Sequence, residues 1–147
     1  DTPDGRFDMV MLHVYLLLRR IKDESRGGKD LAQALFDLMF ADMDRNLREM
    51  GAGDIGVSHR IKDMVQAFYG RIAAYDAGLA ANSDADLASA LRRNLYRKMD
   101  PDDRTVAAVA AYVRSQAKAL AEQPTEALLA GGVSFGGIPL PGDPDRE

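Results

Sequence analysis

At 147 residues, with 46% apolar and 29% charged side chains, the chain has the size and composition of one ordinary globular domain, large enough to bury about 70% of the surface its unfolded form exposes. It contains no cysteine, which excludes disulfides and thiolate metal sites, and its net charge of −4 argues against DNA as a partner, because phosphate binders carry a basic excess. The longest uncharged apolar stretch, Met9 to Leu18, is about half of the roughly 20 residues needed to cross a bilayer.

Apolar residues recur at helical spacing in five segments, and no stretch of useful length alternates with period two, so the spacing predicts an all-α fold. The first segment runs from about Arg6 to Glu24, with Phe7, Val10, Val14, Leu17 and Ile21 on one stripe. Leu12, Leu16 and Leu18 widen that stripe until little polar face is left, which predicts a central helix. Gly27 and Gly28 are its stop signal. Asp30 is the expected N-cap of the second helix, where Phe36, Phe40, Met43, Leu47 and Met50 follow four-three spacing and Gly51 closes the end.

Ser58 is the expected cap of the third helix, which carries Ile61, Val65, Phe68, Ile72, Tyr75 and Leu79. Ser83 with Asp86 resembles a capping box and opens a fourth helix through Leu87, Leu91 and Leu95 that must stop before Asp100-Pro101. The fifth is expected from about Pro101 to Glu122, with Pro101 in its first turn and Val106, Val109, Val113, Ala117 and Leu120 inward. Pro124 interrupts it, a short turn follows through Leu129, and glycines and prolines make the rest irregular. The expected architecture is a single-domain bundle of about five to six helices over residues 1–130, with an irregular, partly mobile C-terminal tail over 131–147. The chain opens at Asp1, with no basic segment and apolar run of a signal peptide before the fold, and further sequence upstream is expected.

Several patterns resemble chemical motifs, and each has a plainer reading. Gly51, Gly53 and Gly56 have dinucleotide-fingerprint spacing, but a helix rather than a strand precedes them, so they read as a helix stop and a tight turn. Asp42, Asp44 and Asn46 match the first ligand positions of a calcium loop. Leu47 stands where that loop needs glycine and Gly53 where it needs glutamate, and residues two apart on a helix face apart, so no metal site is expected. The two histidines, His13 and His59, lack metal-ligand spacing. His13 on an apolar helix reads as a buried residue hydrogen-bonded to a neighbour, able to fix helix register, in preference to a catalytic base. No nucleophile elbow or cofactor motif is present, so no enzymatic activity, cofactor or small-molecule substrate is expected.

Basic clusters at Arg19, Arg20 and Lys22, and at Arg92, Arg93, Arg97 and Lys98, read first as solvated helix ends that complement the helix dipole. Brought together in space, they would suit a ribosome or an anionic membrane surface. The segment Asp42 to Arg48 interleaves acids and arginines with core residues, while Tyr69, Arg71, Tyr75 and Tyr96 supply amphipathic anchors of the kind enriched at protein interfaces.

The run Leu35-Phe36-Asp37-Leu38-Met39-Phe40-Ala41-Asp42-Met43-Asp44-Arg45-Asn46-Leu47-Arg48-Glu49-Met50-Gly51, with Gly53-Asp54-Ile55, Ala67-Phe68-Tyr69-Gly70-Arg71 and Ala74-Tyr75, resembles the ubiquinol-cytochrome c chaperone family. Arg6-Phe7, Leu12-His13 and Leu18-Arg19-Arg20 extend the resemblance over about residues 1 to 99. It implies a helical assembly factor of the cytochrome bc1 complex that binds newly made cytochrome b. The alanine- and arginine-rich wording suggests a bacterial member, acting in the cytoplasm at the inner face of the inner membrane; a eukaryotic one would act in the mitochondrial matrix. The expected docking residues are Asp42, Arg45, Arg48, Glu49, Tyr69, Arg71 and Tyr75, with methionines such as Met39, Met43, Met50 and Met64 adaptable enough to contribute. The competing readings are a membrane or ribosome adaptor using the arginine clusters, and a small-molecule enzyme using His13.

Overall fold

Thr2 starts the first helix, α1 (Pro3–Ile21), by accepting the Gly5 N–H on Oγ1 at 3.1 Å, with Pro3 at a position that needs no donor. The computed structural model describes residues 2–24 and 27–137. Among these the secondary structure is entirely helical, as the periodicity requires.

Helix α1 ends at Ile21, before the two glycines. Gly27 takes a left-handed backbone, φ +79°, and serves as the N-cap of α2 (Gly28–Glu49). Asp30 therefore lies in the first turn of α2 instead of capping it, where its charge still favours the positive end of the helix. Gly28 is buried so tightly beneath the end of α1 that a Cβ would collide with the Ile21 carbonyl oxygen. At the other end of α2, Gly51 has φ +89° and donates to Arg48 O while Ala52 N–H reaches Leu47 O at 3.1 Å, the double bond of a glycine C-terminal cap.

Helix α3 (Asp54–Ala80) begins four residues before Ser58, with Gly53 as its cap. A serine was not needed because the extended Gly53 backbone delivers its own carbonyl to Val57 N–H at 2.9 Å. Ser83 does precede α4 (Asp84–Leu91), without a side-chain capping bond. The chain then widens into a π-helical turn, Arg92–Tyr96, and leaves it through Arg97 at φ +41°. Asp102, not Pro101, opens α5 (Asp103–Glu122): its Oδ1 accepts Thr105 N–H at 2.7 Å and so satisfies a donor that Pro101 has no means to satisfy. After Pro124 comes the short α6 (Thr125–Leu129).

Residues 131–137 have no regular structure but are tied to α5. Gln116 Oε1 accepts Gly136 N–H at 2.7 Å, and Gln123 Nε2 donates to Ser134 O at 2.7 Å. The remaining tail, 138–147, lies outside the described residues.

The core forms where α1 meets α2, α5 and the π-turn, and where α3 meets α4. Leu12, Leu16, Phe68, Leu87, Val113 and Leu120 are almost wholly buried, each stabilising the fold by roughly 1.5–3 kcal/mol relative to exposure. At the α3–α4 crossing Gly78 is indispensable, since a Cβ there would lie 2.7 Å from Leu87 Cα. The buried face of α1 differs from the expected stripe. Met11, Leu12, Tyr15 and Leu16 point inward, whereas Val10 is 53% exposed. Because α1 is apolar almost all round, its spacing alone does not say which side the bundle covers.

Candidate functional site

The uncovered side of α1 creates the main surface feature. Phe7, Val10 and Val14 of α1 face Leu35, Leu38 and Met39 of the antiparallel α2 across an open groove of about 780 Å³. Met43, Leu47 and Met50 continue the α2 wall, and Met64 of α3 contributes to the floor. Leu38 is 68% and Met50 70% exposed; side chains of that size gathered on one surface mark an interaction site more often than chance exposure. The rim is polar: Asp4 and Arg6 on one side, Asp42, Asn46 and Glu49 on the other.

Four of the expected docking residues lie on this exposed stretch of α2. Asp42 is bound by Arg45 one turn on and by Asn46 Nδ2 at 3.2 Å. Arg48 Nε donates to Asp44 Oδ2 at 2.7 Å, and its guanidinium also bridges to Asp54 at the start of α3. These two carboxylates raise the Arg48 pKa still further above its ordinary value. Asp42 and Asp44, spaced like the first ligands of a calcium loop, thus point to different arginines on a continuous helix. Glu49 stands on the groove rim with its side chain exposed.

Tyr69 is exposed but lies elsewhere, beside Phe36 at a ring separation of 5.8 Å, in a smaller recess between α1, α2 and α3. Arg71 and Tyr75 are buried, 8% and 2% exposed. The docking role expected of those two gives way to a scaffold role: on α3 they follow Phe68 along one stripe and pack against Asp8 and Tyr15 of α1. Arg71 Nη1 donates to the buried Asp8 at 2.7 Å, and the Tyr75 ring lies 5.3 Å from Tyr15. Asp8 also takes Arg97 Nε at 2.9 Å. The Asp8–Arg71 pair escaped the sequence reading, although its signal was there: an acid and an arginine each in helical register with core residues.

The arginine clusters are largely spent inside the fold. Arg20 donates to the Leu120 and Gln123 carbonyls at 2.9 and 3.0 Å, closing the C-terminus of α5. Arg19 and Lys22 both approach Asp76, at 3.6 and 3.9 Å. Arg92 reaches Pro101 O at 2.9 Å, and Arg97 is bound to Asp8. Arg20, Arg92 and Arg97 thus act as helix-end clamps, while Arg93 and Lys98 of the second cluster remain exposed.

His13 is half-buried and joins two helices. Its Nδ1 donates to Met9 O at 2.8 Å, and its Nε2 is hydrogen-bonded to the Tyr112 hydroxyl of α5, also at 2.8 Å. With both ring nitrogens engaged and Phe135 packed edge-on at 5.1 Å, the imidazole is a register pin between α1 and α5. Among the described residues no helix is long and apolar enough to cross a membrane.

Comparison with known proteins gives concordant matches. A family model described as ubiquinol-cytochrome C chaperone matches residues 1–135. The Xenopus laevis ubiquinol-cytochrome-c reductase complex assembly factor 1 is 33% identical over 120 residues, covering 82% of this chain and 60% of that protein. The human protein of the same name is 32% identical over 129 residues, covering 88% of this chain and 43% of its own length. The chain thus spans no more than about three fifths of these relatives. A crystal structure of the Cbp3 homolog from Brucella abortus aligns with a TM-score of 0.83 at 41% identity, over 94% of this chain and 76% of that one.

Proposed function

This chain belongs to the ubiquinol-cytochrome c chaperone family, and from that premise we propose that it is an assembly factor for ubiquinol-cytochrome c reductase that binds newly made cytochrome b and acts by docking, not by catalysis. The observation that carries this reading is the exposed apolar groove between α1 and α2, flanked by the acid–arginine ladder from Asp42 to Glu49. A client awaiting its partner subunits exposes apolar helices. A rigid bundle with an uncovered methionine- and leucine-lined groove offers such helices a place to pack. Asp42 and Glu49 stand on the polar rim that sets orientation, Arg45 and Arg48 pair with Asp42 and Asp44 beside it, and Tyr69 adds an aromatic contact beyond it.

The site of action is the face of the membrane that receives the new subunit. The internal use of Arg20, Arg92 and Arg97 leaves the adaptor reading with less to stand on.

The test is genetic and physical together. In a host that respires through ubiquinol-cytochrome c reductase, deleting the full-length gene should lower the assembled complex, and photocrosslinkers placed at Leu38 and Arg48 should capture cytochrome b. Normal levels of the complex in the deletion strain would reject the proposal.

A further inference from the structure

The charge around the groove narrows the chemistry of its occupant, an inference that rests on the groove being the docking surface. The groove lining carries three carboxylates, Asp4, Asp42 and Glu49, against one guanidinium, Arg6. Asp42 is shared with Arg45 and Asp4 with Arg97 at 3.6 Å, but both pairs are solvent-exposed. Such pairs contribute little and exchange readily for a partner's cation. An acidic rim on an apolar floor repels carboxylates and phosphates and draws in lysine and arginine.

The shape selects a helix. The α1 side of the groove runs from Asp4 to Val14 and the α2 side from Leu35 to Met50, which at about 1.5 Å per residue gives walls of roughly 15 and 22 Å. That span matches about three to four turns of a partner helix laid along the seam. Four of the seven methionines, Met39, Met43, Met50 and Met64, lie along it. Unbranched thioether side chains adapt to apolar helices of differing sequence. We propose that the α1–α2 groove binds an amphipathic helix whose apolar stripe is flanked by lysine or arginine. A second copy of this chain is the poorer occupant, because self-docking would set one acidic rim against another. Anionic lipid is disfavoured for the same reason.

The proposal is tested with the full chain and three synthetic helical peptides sharing one apolar stripe, flanked by lysine, glutamate or glutamine, with binding followed by fluorescence anisotropy. The lysine peptide should bind at least about tenfold tighter than the glutamate peptide at low salt, with the gap closing as salt rises. Leu38→Glu should abolish binding of all three, and Asp42→Lys combined with Glu49→Lys should reverse the lysine preference. Each variant is checked for unchanged helical content and unfolding midpoint. Equal affinity for lysine and glutamate peptides, or no binding of any, overturns the proposal. Complementation of the deletion strain separates the two claims. If Leu38→Glu fails to restore the complex while the double lysine variant restores it fully, docking in the groove stands and the basic-helix inference falls. If Leu38→Glu restores it, both fall.

Discussion

Asp8 and Arg71 form an ion pair of 2.7 Å between α1 and α3 with both side chains buried. Burial of the carboxylate outweighs the pull of Arg71 and Arg97 and pushes its pKa above the usual carboxylate range. Ionising Asp8 in the fold therefore carries a net desolvation cost, and the pair holds the helices in register more than it adds stability. Removing one partner is another matter. Asp8→Ala leaves the Arg71 guanidinium buried without its carboxylate and should lower unfolding free energy by about 3–5 kcal/mol. Replacing both, as Asp8→Leu with Arg71→Met, should recover most of that loss. Urea denaturation of the single and double variants measures the difference, and two losses that simply add would contradict this account.

The α3–α4 crossing depends on a missing atom. A Cβ on Gly78 would sit 2.7 Å from Leu87 Cα and 3.0 Å from Leu87 N, and backbone has nowhere to retreat inside a packed core. Gly78→Ala should cost about 1–3 kcal/mol despite its better helix propensity. An unchanged or raised melting temperature would show that the two helices separate freely.

Alkali should unfold the protein through its buried phenols. Burial pushes the Tyr75 pKa up to about 12 from an ordinary value near 10. Tyr15 is shifted in the same direction by burial and by its 2.6 Å hydrogen bond to Asp76. A folded-state pKa above the unfolded one means that the unfolded chain loses its proton first. The contribution from Tyr75 is intact below pH 10 and is lost as pH rises through about 12. Tyr75→Phe should flatten the fall in urea midpoint across that interval, with phenolate absorbance rising in step with unfolding in the parent. Phenolate formation that saturates before any loss of helix would show that these rings ionise in place.

The His13–Tyr112 bond links α1 to α5 at 2.8 Å, away from the groove. Tyr112→Phe should cost about 1 kcal/mol and leave peptide binding and complex assembly unchanged. A loss of binding with stability preserved would tie this contact to function.

Leu38 provides the converse case. It is 68% exposed, so Leu38→Ala should change stability by no more than about 0.5 kcal/mol, while weakening whatever docks between α1 and α2. A thermal melt beside a binding curve separates the two effects, and a large stability loss with intact binding would mark Leu38 as part of the fold alone.

The helices and their order were legible in the sequence because a 3.6-residue apolar period is written locally, as in Phe40, Met43 and Leu47, which are all buried. Several caps were not. Gly27 and Gly53 took the places expected of Asp30 and Ser58, and Asp102 caps a helix that was expected to have Pro101 in its first turn, since a cap is fixed by a few backbone angles rather than by periodicity. The groove was half legible: Leu35 and Leu38 are apolar residues off the core stripe of α2, but only packing decides whether a neighbour covers them. For α1 the stripe expected through Phe7, Val10 and Val14 was not the face the bundle covers most fully, and packing chose Leu12 and Leu16 over Val10. Arg71 and Tyr75 carry the chemistry of surface anchors, and their burial beside Asp8 and Tyr15 was decided by α3 lying across α1. Local period determines what forms a helix; which face meets water depends on contacts between residues distant in the chain, and those exist only in the folded bundle.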